Sequence, residues 1–108
     1  MSYWYLATPY SDYHAGHAIA AIEAGVGVAK IQAKHNLRIF SPIAHFHPIA
    51  QALDLHGHEF WMAVDKLFME RAEGCIVYMM PGWETSIGVN MEIDYFTAAD
   101  KPVLFERF

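Results

Sequence analysis

Glu92 follows Gly88 by four residues within Pro81-Gly82-Trp83-Glu84-Thr85-Ser86-Ile87-Gly88-Val89-Asn90-Met91-Glu92. On a helix that spacing places both on one face, so the carboxylate rises along a surface that the glycine leaves open. The Pro-Gly turn ahead of it leads into a helix amino terminus, where free N–H groups and the positive dipole end can hold a sugar hydroxyl, a phosphate or a carboxylate. The same residues would also make an ordinary turn, a serine cap and a surface glutamate. Asp65 is the second carboxyl group with chemical prospects, because its neighbours at helical spacing are Trp61 and Phe68 and not charged groups. Aromatic surroundings strip a carboxylate of water and raise its pKa, which suits a proton donor; a helix-boundary aspartate open to water is the plainer alternative. Two acids in unlike environments, one ionised and one protonated, form the working pair of glycosidic-bond chemistry.

Histidines supply the competing signal. His45-Phe46-His47 and His56-Gly57-His58 place four imidazoles within 14 positions. On extended backbone the members of a His-x-His pair point the same way, so two pairs could surround zinc and serve a metal-dependent hydrolase. No Cys or acidic residue stands at ligand spacing within them, and a loop histidine serves more commonly as a surface group or a substrate partner. No metal and no cofactor are therefore expected. His14 and His17 most simply face solvent. A Gly-x-Ser-x-Gly elbow, a Walker loop and the dinucleotide glycine pattern are all missing from the sequence.

Strands and helices alternate around these residues. Tyr3 to Ala7 reads as a buried strand ending in the turn Thr8-Pro9-Tyr10-Ser11. Ser11 is positioned to cap a helix over Asp12 to His35, on which Ile19, Ile22, Val26, Ala29 and Ala33 form one apolar stripe and Asn36 is a left-handed cap. Gly25 and Gly27 weaken that helix, which close packing against a sheet would explain. Leu37 to Ser41 is a second strand, and Pro42 and Pro48 bracket a histidine-rich loop. A second helix over Glu59 to Ala72 carries Phe60, Val64, Leu67 and Arg71 on one stripe, with Trp61, Asp65, Phe68 and Ala72 on the adjoining one. Gly74 to Met80 is a continuous apolar strand, Thr85 or Ser86 caps a third helix to Ala99, and Lys101 to Phe105 is the last strand. This alternation implies a parallel sheet with right-handed crossovers and helices on both faces, and ligands collect beyond its carboxyl ends.

Composition narrows the partners. The 108 residues suit one domain, and with 55% hydrophobic and 18% charged residues the chain should fold. A net charge of -5 without a Lys/Arg run argues against a nucleic-acid polymer. Cys75, the single cysteine, reads as a buried strand residue. No apolar run approaches the ~18 residues of a membrane span and no signal-like amino terminus is present, so no membrane association and a cytoplasmic location are expected.

The order of these motifs resembles the nucleoside 2-deoxyribosyltransferase-like superfamily, and within it the small DUF1937 and DUF4406 proteins. Tyr5-Leu6-Ala7-Thr8-Pro9-Tyr10-Ser11, Ser41-Pro42-Ile43-Ala44-His45, Asp65 with Leu67, Gly82-Trp83-Glu84-Thr85-Ser86-Ile87-Gly88 with Glu92, and Lys101-Pro102-Val103 carry the resemblance. It implies an α/β flavodoxin-like three-layer sandwich with a four- or five-stranded parallel sheet in the order 2-1-3-4. It also implies cleavage or exchange of the bond between a nucleobase and (deoxy)ribose in a nucleoside or nucleoside 5′-monophosphate. By the same resemblance Glu92 is the nucleophile, Asp65 protonates the departing base, and Ser86 contacts the sugar or its 5′ end. Tyr5 and the turn Thr8, Pro9, Tyr10 and Ser11 line the sugar or phosphate pocket, with His45, Gly82, Trp83 and Gly88 completing the substrate-binding set. Trp83, Tyr10 and Phe46 are candidates to stack on the base. The closing Phe105-Glu106-Arg107-Phe108 lacks the asparagine that transferases of this kind lend to a neighbouring subunit, so hydrolysis, or no turnover at all, is expected over base exchange. Exposed aromatic residues in so short a chain favour a homo-oligomer, a dimer or tetramer. A module that binds a nucleotide or nucleotide-sugar without cleaving it, and the histidine-based metal hydrolase, stay open as alternatives.

Overall fold

The computed structural model describes residues 2–53 and 58–107. Four strands, β1 (Trp4–Ala7), β2 (Ile39–Phe40), β3 (Gly74–Tyr78) and β4 (Val103–Glu106), form one parallel sheet in the order β2-β1-β3-β4. β1, β2 and β3 sit within the predicted segments, β4 runs one residue past its own to Glu106, and their order is the expected 2-1-3-4. Helices α1 (His17–His35), α2 (Pro42–Leu53), α3 (His58–Arg71) and α4 (Ile87–Ala98) connect and cover them. Among the described residues no helix is long and apolar enough to cross a membrane.

Strand alternation divides the core into two layers. Tyr5, Ala7, Cys75 and Val77 face Met69 and Ala72 of the α3 end and Val89 and Phe96 of α4. Leu6 and Ile76 turn the other way, toward Ile31 of α1. Lys101 ties the layers at the sheet edge, because its ammonium donates to the carbonyls of Met69, Glu70 and Ala72 at 3.1, 2.8 and 2.8 Å. These carbonyls lie at the carboxyl end of a helix, where a cation is favoured.

Two expectations need correction. The first concerns α1, which starts after Gly16 and not at Ser11: Gly16 is its N-cap at φ 93, and turns closed by Tyr13 N–H to Tyr10 O and Gly16 N–H to Tyr13 O precede it. Its inward face is also not the stripe of large aliphatics. Ala20, Ala21, Ala24, Gly27 and Ile31 are buried, whereas Ile19, Ile22 and Val26 are 40%, 62% and 44% exposed and Ala29 and Ala33 also lie outside. Small residues let the helix axis approach the sheet, and a β-carbon at Gly27 would stand 2.5 Å from the Tyr78 ring. Gly25 meets Ala44 of α2 at an ordinary 3.9 Å, so its partner is a helix and not the sheet.

The second correction is the histidine-rich loop, which is helix α2. Ser41 caps it, with Ala44 N–H donating to Ser41 Oγ at 3.1 Å, and Pro42 occupies the first helical position, where its fixed φ fits and its missing N–H costs nothing. Pro48 stands inside the helix. In α3 the stripe containing Trp61, Asp65 and Phe68 is the more buried of the two, while Phe60 and Leu67 are 43% and 64% exposed.

Gly74 opens β3 where the sheet is most crowded. A β-carbon there would lie 2.5 Å from the Trp4 ring and 2.7 Å from the carbonyl oxygen of Pro102, which itself accepts from Cys75 N–H at 2.9 Å. Gly74→Ala is therefore expected to lower stability by about 2 kcal/mol, since backbone cannot step aside as a side chain can. Denaturant titration checks this, and an unchanged midpoint would count against it.

Candidate active site

All three loops that follow β1, β2 and β3 open onto one cavity of about 960 Å³ at the carboxyl ends of the strands. The switch in connection direction between β1 and β3 creates this crevice, as parallel sheets of this order do. Thr8, Pro9, Tyr10 and Ser11 line it from the first turn, Phe46 and His47 from α2, Trp61, Asp65 and Lys66 from α3, and Gly82, Ser86, Gly88 and Glu92 from the last crossover.

The last crossover is built from local rules. Gly82 adopts φ 84, a left-handed conformation that favours glycine, and lets the chain turn beneath the cavity. Ser86 caps α4, its hydroxyl accepting from Val89 N–H at 3.3 Å. Asn90 braces the same turn through its amide, which donates to the carbonyls of Glu84 and Ser86 at 2.9 Å each. The first N–H groups of α4 thus lie at the cavity wall without helical partners. A β-carbon on Gly88 would meet nothing within 4 Å, so the surface beside Glu92 is open as its spacing predicts.

Glu92 is half-buried over the sheet, and the Tyr5 hydroxyl donates to its Oε2 from the strand below. Burial pushes the Glu92 carboxyl up to about 8, and the charge of Asp65 adds to the rise while the Tyr5 hydrogen bond opposes it. Asp65, desolvated among the aromatics of α3, is pushed up to about 6. The aromatic setting thus has the anticipated effect on Asp65. Glu92, expected to be the ionised member, is the one more easily protonated in the free protein. The Cys75 thiol is buried and driven well above its usual range by burial and by Glu92, so it packs and does not react.

Nine of the twelve candidate residues share the cavity: Glu92, Asp65, Thr8, Pro9, Tyr10, Ser11, Gly82, Ser86 and Gly88. Tyr5 reaches it only through Glu92. Trp83 packs on Phe105 of β4, with ring centroids 5.6 Å apart, and His45 turns to Phe40 and Phe46; neither lines the cavity, whereas Phe46 does.

Thr8 stands out chemically. It is 4% exposed and lines the cavity, and its hydroxyl has no hydrogen-bond partner among the described residues. A buried orphan hydroxyl costs about 1–3 kcal/mol, which a ligand acceptor or donor would recover.

The extended His-x-His geometry is overturned for the first pair. His45 and His47 are two positions apart on a helix, hence on different sides of it: His45 meets aromatic rings, while His47 Nδ1 lies 2.6 Å from the Tyr10 hydroxyl. His56 and the side chain of His58 lie outside the described residues. His47 itself went unread as a cavity residue; the Ser41-Pro42 helix start was the signal that would have placed it.

A family model described as "Domain of unknown function (DUF1937)" matches residues 2–107. No curated protein matches the chain.

Proposed function

The chain belongs to the DUF1937 family, and on that premise we propose that it is an N-glycosidic-bond enzyme of the nucleoside 2-deoxyribosyltransferase-like kind, acting on nucleosides or nucleoside 5′-monophosphates. The observation that carries the proposal is the coupled pair of raised carboxyl groups, Glu92 and Asp65, facing one cavity. As the base departs, the sugar gains positive charge at the anomeric carbon. An ionised Glu92 stabilises that charge or bonds to the carbon, while Asp65 passes its proton to the leaving nitrogen. Water then takes the sugar, with Asp65 receiving the water's proton, and free base and sugar leave.

Glu92 protonates near 8 and Asp65 near 6, so the pair holds one proton between those values. The proton resides mostly on Glu92 in the free protein. The working arrangement, with the proton on Asp65, is the minor form, and positive charge on the sugar favours it as reaction proceeds. The rate is therefore expected to follow a bell with limbs near 6 and 8 and a maximum near 7. A profile of kcat/KM against pH checks this; a rate that keeps rising beyond pH 9 would contradict the pairing.

The direct test is chromatography of free base after incubation with nucleosides, deoxynucleosides and their 5′-monophosphates. Release from any of them supports the proposal, and the substrate cleaved fastest reports the base and the phosphate requirement. Failure across the whole panel counts against it. One observation favours a second reading: a neutral Glu92 in the same cavity wall as Thr8 can hold a nucleotide's hydroxyls without cleaving the ligand. Saturable binding with intact ligand recovered would select that module. The exposed Ile19, Ile22 and Val26 on α1 support self-association of either kind of protein.

A further inference from the structure

Resting on the glycosidase reading above, we propose that His47, held in one tautomer by Tyr10, reads the departing base and favours bases that present a carbonyl oxygen over those that present an amino group. The pair takes no part in the bond cleavage already described, yet both residues line the cavity.

Three contacts fix the geometry. Tyr10 Oη lies 2.6 Å from His47 Nδ1, with the two rings edge-on at 5.7 Å. On its other side Tyr10 stacks on His17 at 4.3 Å and 22°. His17 Nε2 in turn lies 3.1 Å from the carbonyl oxygen of Ser11. The phenol is therefore clamped between two imidazoles and holds its direction.

That direction decides the chemistry of His47. A phenol is the stronger acid of two neutral groups, so the Tyr10 hydroxyl donates and Nδ1 accepts. The proton of the neutral imidazole must then sit on Nε2, where it makes a donor and not an acceptor. No partner for Nε2 occurs among the described residues, which leaves it to a ligand.

The base must lie within reach of this donor. A sugar over Glu92 with its leaving nitrogen toward Asp65 directs the base at α2 and α3, where Phe46 and Trp61 stand 5.3 Å apart, and His47 adjoins Phe46. An Nε2–H donor matches a carbonyl oxygen on the base edge. Opposite an exocyclic amino group it meets a second donor, and both are left unpaired in a partly dry site. Sites built around one such hydrogen bond discriminate strongly, and a partly open one is expected to give about 10- to 100-fold.

The test compares kcat/KM for release of uracil against cytosine, and of hypoxanthine against adenine, from matched nucleosides or their 5′-monophosphates. Wild type is expected to favour the carbonyl-bearing member of each pair by at least about 10-fold. The ratio is expected to fall toward one in His47→Ala, and also in Tyr10→Phe, where Nδ1 is free to carry the proton. Melting temperatures confirm that both variants fold, and Tyr10→Phe carries the test should His47→Ala not fold. Equal release of both members by wild type, or a ratio unmoved in both variants, overturns the inference while leaving the glycosidase reading intact. Silence of wild type on every substrate instead removes that parent reading, and this inference with it.

Discussion

Glu92→Gln is expected to cut base release by at least about 10³-fold while leaving the fold unchanged. Glutamine keeps the volume of the side chain and an oxygen that accepts from the Tyr5 hydroxyl, so the link between β1 and α4 persists. Its neighbours at helical spacing, Val89 and Phe96, are fully buried on the same side of α4, and a side chain of unchanged volume leaves their packing as it is. What disappears is the negative charge. A neutral amide can neither bond to the anomeric carbon nor offset its positive charge, and both routes to the transition state close together. Chromatography of free base measures the loss, with circular dichroism as the check on folding. A folded variant with full activity would remove Glu92 from the chemistry and with it the proposed mechanism.

The same substitution is expected to make the protein more stable above neutral pH. The Glu92 carboxyl rises from its ordinary 4.5 to about 8 on folding, so between those values the folded chain holds a proton that the unfolded chain has released. Stability therefore falls as pH climbs through this window and levels off above it. Each pH unit of the window is worth about 1.4 kcal/mol, which sets a ceiling of about 5 kcal/mol; water reaching the partly exposed side chain reduces this to a few. Asp65 contributes in the same direction, over the narrower window from 3.8 to about 6. The glutamine variant has no charge to desolvate at this position. Its melting temperature is expected to exceed that of wild type by at least about 5 °C at pH 9 and to converge with it near pH 4. Equal melting temperatures at pH 9 would show that Glu92 ionises without penalty.

Much of this arrangement was legible in the residues. Continuous apolar runs and the helices between them gave the parallel sheet, and the spacing of Gly88 and Glu92 gave their shared face. Asp65 among aromatics was legible for the same reason. Local spacing determines helical faces and local composition determines desolvation when the desolvating groups lie on the same helix. Glu92 differs because the burial that raises its pKa, and the charge of Asp65 that adds to it, come from segments far away in the chain, so the rise has no local signal. Ile19, Ile22 and Val26 form the more hydrophobic stripe of α1, yet they lie outside. Close approach to the sheet needed the alanines and Gly27 instead, and Tyr78 supplies the reason. At α2 the two prolines act differently: Pro42 starts a helix behind a serine cap, and only Pro48 interrupts one.

Pro48 divides α2 in time as well as in bonding. Lacking an N–H, it leaves the carbonyl of Ala44 without its helical partner, and the turns on either side of it are no longer held by one continuous ladder. Phe46 stays anchored by the rings of Phe40, Trp61 and Phe68, but Ala50 and Gln51, which also line the cavity, follow the break. Backbone amides after Pro48 are expected to exchange with deuterium sooner than those of Phe46 and His47, through openings far smaller than global unfolding. The cavity would then have a slow wall and a fast one, and a ligand would enter at the rate of the fast one.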